Sequence, residues 1–212
     1  SAMLKWWGVG IGVGYNLLLA LLAGLIFSGS FSVSVNLISL KDQVAEKKVL
    51  IGGVVSSLLV VLGGNSHTLW YGLSNGGWKG YWYANATRFI ENTIHEFASY
   101  SLVVSDLHAH LWALPMVLFL LFLMMAWHKS GKKIIWEIGW GVLVGVLAMT
   151  NTWDVMVYGL LLFIWTSGLM VKDEIESKVM VRAGLVTLGV AGLVSMGWWL
   201  NFTSIGQGVE VV

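Results

Sequence analysis

Apolar residues fall in six long blocks, at 9–38, 48–64, 111–128, 133–150, 155–171 and 179–200, divided by short polar breaks and one long mixed segment. An α-helix rises 1.5 Å per residue, so about 20 apolar residues cross ~30 Å of hydrocarbon. The pattern predicts an all-α fold: a polytopic transmembrane helix bundle of about six spans. The first block is long, and its C-terminal half, Ser28–Asn36, turns more polar. Pro115 is expected in the first turn of the third span, where early N–H groups lack helix partners anyway. The segment 65–110 is expected to be a long outer loop carrying short or re-entrant helices. A secretory signal peptide would be shorter and carry a cleavage pattern, and neither is seen.

Composition narrows the class. Apolar residues are 57% and charged residues 11% of the chain, against roughly 45–50% and 25% in soluble domains. The deficit of charge excludes a soluble globular domain, a disordered chain and a nucleic-acid binder. The net charge of +1 offers no basic patch. With no Cys there is no disulfide framework and no zinc–sulfur site. Thirteen Trp and 26 Gly with one Pro fit membrane helices with aromatic belts.

Charge also orients the spans. Lys41, Lys47 and Lys48 lie in one break, Lys129, Lys132 and Lys133 in a second, and Lys172, Lys178 and Arg182 in a third. These are nine of the twelve basic residues, in alternate loops. The positive-inside rule makes those loops cytoplasmic. Both termini and the segment 65–110 are then outside, in the plasma membrane; Lys5, Lys79 and Arg88 go against the bias. The polar groups of chemical interest collect on the outer side, while the cytoplasmic loops hold ordinary Lys, Asp and Glu. One-sided polar chemistry points to a site at the outer membrane surface.

The motifs have bland and functional readings. Gly8/Gly12, Gly10/Gly14 and Gly141/Gly145 are spaced for close helix packing. A dinucleotide fingerprint fails because Val13 stands where its sixth-position glycine belongs. Trp78–Tyr83, WKGYWY, reads as an interfacial aromatic belt or as a stacking platform for a sugar or headgroup. The strongest signal is Thr93–His110, TIHEFASYSLVVSDLHAH. Asp106, His108 and His110 alternate, so an extended chain puts them on one face, and a helix still pairs Asp106 with His110. They can converge on one ion or phosphate as metal ligands, and His with carboxylate suits a divalent metal such as Zn²⁺ or Mn²⁺. His95 and Glu96 can complete a shell or act as acid and base beside Asp106 and His108. The bland reading is a polar loop with ion pairs such as Arg88 with Glu96 or Asp106. Asn151-Thr-Trp153-Asp154 is a cap and tight turn or a site wall. Asn65 and His67, after Gly63-Gly64, are further candidates for substrate contact, although a lone interfacial His is more often structural. Asn85-Ala-Thr and Asn201-Phe-Thr match the glycan acceptor triplet, a weak signal.

Taken in order, Gly64-Asn65, Arg88-Phe-Ile, Thr93-Ile-His-Glu-Phe-Ala-Ser-Tyr-Ser101, Asp106-Leu-His-Ala-His110 and Asn151-Thr-Trp-Asp154 resemble the YYY membrane proteins, a largely uncharacterised family of archaea and Chloroflexi. That family's pattern runs GNL, R-x-I, TEFPFFSF, GDLHPH and NTWD, and the resemblance covers about 14–205. Ala98 and Ala109 stand where the family has Pro, and the upstream acidic motif and tyrosine run do not occur. The chain therefore resembles the C-terminal part of the family domain. The family is in turn similar to C-type glycosyltransferases, polytopic enzymes that use polyprenyl-phosphate sugars at the outer face. The resemblance implies that Arg88 or His108 binds a lipid phosphate and that Asp106 holds a metal or orients an acceptor, with the catalytic base in the upstream loop.

The expectation is thus an outer-face glycosyltransferase-like protein, or a fragment of one, in a single membrane domain over 1–212. Ser1-Ala2-Met3 reads as a cloning scar before a start methionine. Expected catalytic residues are Asp106, His108, His95 and Glu96. Expected substrate contacts are Arg88, His110, Asn151, Trp153, Asp154, Asn65 and His67. Mn²⁺ or Mg²⁺ is the expected cofactor, and membrane lipid and a polyprenyl-phosphate sugar are the expected partners, with no nucleic acid. The competing readings are a transporter or lipid-handling protein and a non-catalytic structural membrane protein.

Overall fold

A computed structural model describes residues 8–41 and 43–203. Its order is α1 (Ile11–Ile38), α2 (Glu46–Leu62), α3 (His67–Ser74), a short 3₁₀ helix (Tyr83–Thr87), α4 (Ala98–Val103), α5 (Ala109–Lys129), α6 (Ile134–Thr150), α7 (Thr152–Val171) and α8 (Ser177–Asn201). Each of the six apolar blocks is a helix, and the long loop carries short helices as expected. No strand occurs among the described residues.

The span count differs from six. Four helices, α1, α5, α7 and α8, are each long and apolar enough to cross a membrane. A fifth span arises if α2 and α3, bent by 68° at their junction, act as one broken element. The remaining block, α6, has 17 residues, or roughly 25 Å at 1.5 Å per residue. Apolar character alone marked it as a span; length sets it apart. Pro115 also sits deeper than expected. Because α5 starts at Ala109, the proline lies in its second turn, where its missing N–H removes the bond to the Leu111 carbonyl.

The chain divides into two compact units, Ser1–Pro115 and Met116–Val212. In the first, α1 and α2 pack as a hairpin because Gly53 lets the backbone of α2 approach α1. A Cβ there would lie 2.7 Å from Val35 and 2.8 Å from Phe31. Leu22, Ile26 and Val33 are buried on α1, and Val49 and Val61 on α2. The buried Ser57 hydroxyl donates back to the Gly53 carbonyl at 2.8 Å, so its polarity is satisfied within the helix. The packing expected of the first glycine run is not made among the described residues. Nothing described lies within 4 Å of a Cβ placed on Gly8, Gly10 or Gly12, and only Gly14 of that run is buried.

In the second unit, α6 lies tightly on α8. The Gly141/Gly145 pair does what its spacing predicts. A Cβ at Gly141 would meet Val190 at 2.5 Å and the Thr187 carbonyl at 2.8 Å, and one at Gly145 the Ala191 carbonyl at 2.9 Å. Small residues allow such backbone approach where lipid offers no hydrophobic drive between helices. Trp127, Trp140 and Trp165 pack together with ring centroids 5.1–6.4 Å apart.

The second unit also holds a feature that a view of ordinary loop charges misses. Glu137 is fully buried. Arg182 donates to it from Nη2 at 2.6 Å and from Nε at 3.1 Å. Trp127 Nε1 adds a third donor at 3.0 Å, and Arg182 Nη2 also reaches the Lys132 carbonyl at 2.7 Å. An ionisable residue inside an apolar run needs a partner, which signals that Glu137 is paired. Several cations lay within sequence reach, and only packing selects Arg182.

Candidate functional site in the first unit

The segment that carries Asp106 is shaped by the end of α4. Val104 N–H bonds to the Tyr100 carbonyl, and Asp106 N–H to the Ser101 carbonyl at 2.8 Å. Between them Ser105 takes φ +57°, the left-handed residue of a helix C-terminal cap. This turn reverses the chain and delivers Asp106. The Tyr15 hydroxyl of α1 pins it there, donating to the Ser105 carbonyl and accepting from Leu107 N–H at 3.3 Å. Nothing in the linear spacing marks Tyr15, which lies 92 residues from Leu107. The His108 carbonyl then accepts the first bonds of α5, from Leu111 and Trp112.

Asp106 and His108 meet, with Nδ1 of the ring 2.7 Å from Oδ2. That hydrogen bond first, and then the Asp106 charge, hold the imidazolium of His108 above the ordinary histidine range, partly offset by desolvation. The rings of His108 and His110 stack at 5.8 Å, so the three alternating residues converge although His110 is already helical. His110 is occupied on both sides: Nδ1 lies 3.3 Å from Glu96 Oε2, and Nε2 2.8 Å from Ser101 Oγ. It therefore orients Glu96. Donor atoms of Glu96, Asp106 and His108 lie within 4.8 Å of one another. The ligand set drawn from spacing was Asp106, His108 and His110. The geometry gathers Glu96, while both nitrogens of His110 are engaged, by Ser101 and by Glu96.

His95 is fixed by its backbone, whose N–H donates to the buried Thr87 carbonyl at 3.0 Å, and by an edge-on contact with Phe89 at 4.5 Å. Its Nδ1 lies 3.3 Å from Thr93 Oγ1, and its Nε2 is buried without a partner among the described residues. Arg88 makes no ion pair with Glu96 or Asp106 at 4 Å. Its guanidinium lies over the Trp82 ring, 5.6 Å from the centroid.

These groups share a cavity of about 810 Å³, lined by Arg88, His95, Glu96, Asp106, His108 and His110 together with Tyr83 and Tyr100. Ligand sites usually enclose about 300–1,000 Å³ with a few convergent polar groups, so the volume suits a small polar headgroup.

Other candidates are used elsewhere. Asn65 donates to the Ala86 carbonyl and accepts from His67 N–H at 3.2 Å, clamping the loop. Gly64 beside it admits the Phe97 ring, which a Cβ would meet at 2.5 Å. The His67 ring stacks on Phe89 at 5.3 Å and near Tyr81, in an aromatic cluster that does not line the cavity. Of the WKGYWY run, Trp78 donates to the Thr68 carbonyl at 3.1 Å and braces α3, while Tyr83 turns to the cavity. In the second unit, Asn151 ends α6 and starts α7, and donates to Asp154 at 3.0 Å. Asp154 occupies the first turn of α7, where the helix dipole favours an anion. Trp153 is 75% exposed.

The exterior completes the class argument. Leu185, Leu188 and Leu193 are 68%, 69% and 72% exposed on α8. So many large apolar side chains turned outward suit lipid and not water. Helices of spanning length with an apolar exterior and a polar cavity beside the start of α5 define a polytopic helical membrane protein. The chain belongs to an uncharacterised membrane protein family, DUF2298, whose model matches residues 1–212. No curated protein and no solved structure matches it.

Proposed function

We propose that this membrane protein binds a lipid-linked sugar phosphate in the cavity of the first unit, as an outer-face glycosyltransferase-like protein or a part of one. The observation that carries this reading is the convergence of Arg88, His95, Glu96, Asp106 and His108 on one cavity of about 810 Å³, directly before an apolar helix of spanning length. Each side chain has a use in such a site. Arg88, engaged by a ring face and not by a carboxylate, offers a planar fork to a phosphate. Tyr83 and Tyr100 offer aromatic faces to a sugar. Glu96 and Asp106 are carboxylates fit for hydrogen bonds to sugar hydroxyls or for general-base work. The resemblance to YYY proteins, and through them to C-type glycosyltransferases, points the same way.

The transporter reading is weaker on physical grounds. Transporters bind near the midplane, at broken helices and charged residues within spans. Here the polar cluster precedes a span, and the buried charge in α6 is neutralised by Arg182.

The test is equilibrium binding of a polyprenyl-phosphate hexose to the detergent-purified chain. A charge-assisted hydrogen bond contributes about 1.5–3 kcal/mol, so Arg88→Ala weakens binding by roughly 10–100-fold at unchanged helical content. No saturable binding, or equal affinity in the variant, removes this reading. The outer-face placement rests on the lysine distribution with the α2–α3 pair and α6 each taken as crossings, and has its own test. A single Cys in place of Gly131 is protected from an impermeant thiol reagent in intact cells, and one in place of Asn75 is labelled. The reverse pattern inverts the orientation.

A further inference from the structure

We propose that Glu96, Asp106 and His108 form a binding site for one divalent transition-metal ion of the Mn²⁺ or Zn²⁺ type. The inference goes beyond the lipid-linked sugar reading and does not depend on it. Three observations carry it. First, one donor atom from each residue lies within 4.8 Å of the others. Ligands of an ion bonded at about 2.0–2.2 Å stand roughly 3–4 Å apart, so modest rotations close the set. His108 is the freest of the three, with its side chain 62% exposed, against 39% for Asp106 and 18% for Glu96.

Second, two carboxylates, Glu96 and Asp106, line one cavity, and their nearest basic partners are titratable histidines, His108 for Asp106 and His110 for Glu96, not a permanent cation. Arg88 lines the same cavity but lies over Trp82 and bridges neither acid. Like charges brought together raise each other's free energy unless a cation neutralises them. His110 meets Glu96 only at 3.3 Å and is tied to Ser101 by its other nitrogen. Third, the supporting shell is built. His110 orients Glu96, and Tyr15 and the Ser105 turn hold the backbone on both sides of Asp106. Outer partners of this kind are what keep ligands in place in metal sites.

The donor chemistry selects the ion. Two carboxylates with one imidazole suit Mn²⁺ or Zn²⁺; a purely oxygen shell would suit Ca²⁺ or Mg²⁺. Three protein donors leave coordination positions for water or for an anionic oxygen.

The experiment is titration of the chelator-stripped, detergent-purified chain with Mn²⁺, reading free Mn²⁺ by its solution EPR signal, followed by competition with Zn²⁺. No lipid or sugar is present, so the result is separate from that of the hexose-binding assay. One saturable Mn²⁺ per chain, displaced by Zn²⁺, is expected. Glu96→Gln and Asp106→Asn, nearly isosteric and able to keep the neighbouring hydrogen bonds, each weaken binding at least about tenfold. His108→Ala does the same. Asp173→Asn, which removes an acid from a loop of the second unit, leaves it unchanged. Absence of saturable binding by the folded wild type overturns the proposal, as does a site whose affinity the three variants leave unchanged or that Asp173→Asn removes equally.

Discussion

Arg182→Met lowers the stability of the chain by about 3 kcal/mol, and the double variant Glu137→Leu/Arg182→Met recovers most of that loss. The single change leaves the Glu137 carboxylate, 0% exposed, without its cation while Trp127 still donates one hydrogen bond. An unpaired buried charge costs about 3–5 kcal/mol, and the lower end applies because the Arg182 side chain is 41% exposed and water can reach what it leaves behind. The double variant has no charge to strand. Removing both partners of a buried pair in favour of apolar groups is often neutral or stabilising. The asymmetry between single and double variants therefore separates a desolvated pair from a surface one, for which both effects stay within about 1 kcal/mol. Thermal unfolding in detergent, followed by helical circular dichroism, reads it. Equal midpoints for wild type and Arg182→Met would mean that Glu137 is neutral or wet in solution. The pair has a structural consequence too. Through Nη2, Arg182 ties α8 to the Lys132 carbonyl in the loop before α6, so its loss also loosens that junction.

Gly141→Ala is the second large effect, a destabilisation of about 1–3 kcal/mol. Its new methyl would stand 2.5 Å from the Val190 Cβ and 2.8 Å from the Thr187 carbonyl. Neither can move aside by a rotamer change, since one is a branch point and the other is backbone. The helices must separate, and the contacts along Gly145 and Ala191 loosen with them. Gly24→Ala is the matching control. It lies within α1, and nothing described is within 4 Å of its Cβ position. There the better helix propensity of alanine, up to about 1 kcal/mol, acts alone and stabilises. Opposite shifts in unfolding midpoint are expected; a shared sign for both would show that helix propensity, and not the α6–α8 approach, governs Gly141.

The two glycine positions show where linear pattern stops being informative. Gly8/Gly12 and Gly141/Gly145 have the same spacing, and among the described residues only the second pair meets a neighbouring helix. Spacing places two small residues on one face; which face meets a partner depends on how helices distant in sequence dock. Gly53, which pairs at this spacing with Ser57 and not with another glycine, makes the approach to Phe31 and Val35. The same limit applied to the candidate site. The alternation Asp106, His108, His110 marks three residues that line one cavity. It could not show that His110 would be spent on Ser101 and Glu96, nor that Asn65 and His67 would be spent on the loop backbone and on an aromatic cluster.

By itself the sequence determined the class and the helices. The scarcity of charge, the six apolar blocks and the polar segment before α5 follow from composition and from the 1.5 Å rise per residue, which need no partner to act. Tertiary structure decided the rest. It placed Tyr15 under the Asp106 turn, brought Glu96 into the donor group, and gave Glu137 its cation from 45 residues away. The physical reason is that each of these pairs joins groups remote along the chain. Hydrogen bonds and ion pairs act over about 3–4 Å, so their existence is set by how helices pack, while hydropathy and helical periodicity are set by neighbours in sequence.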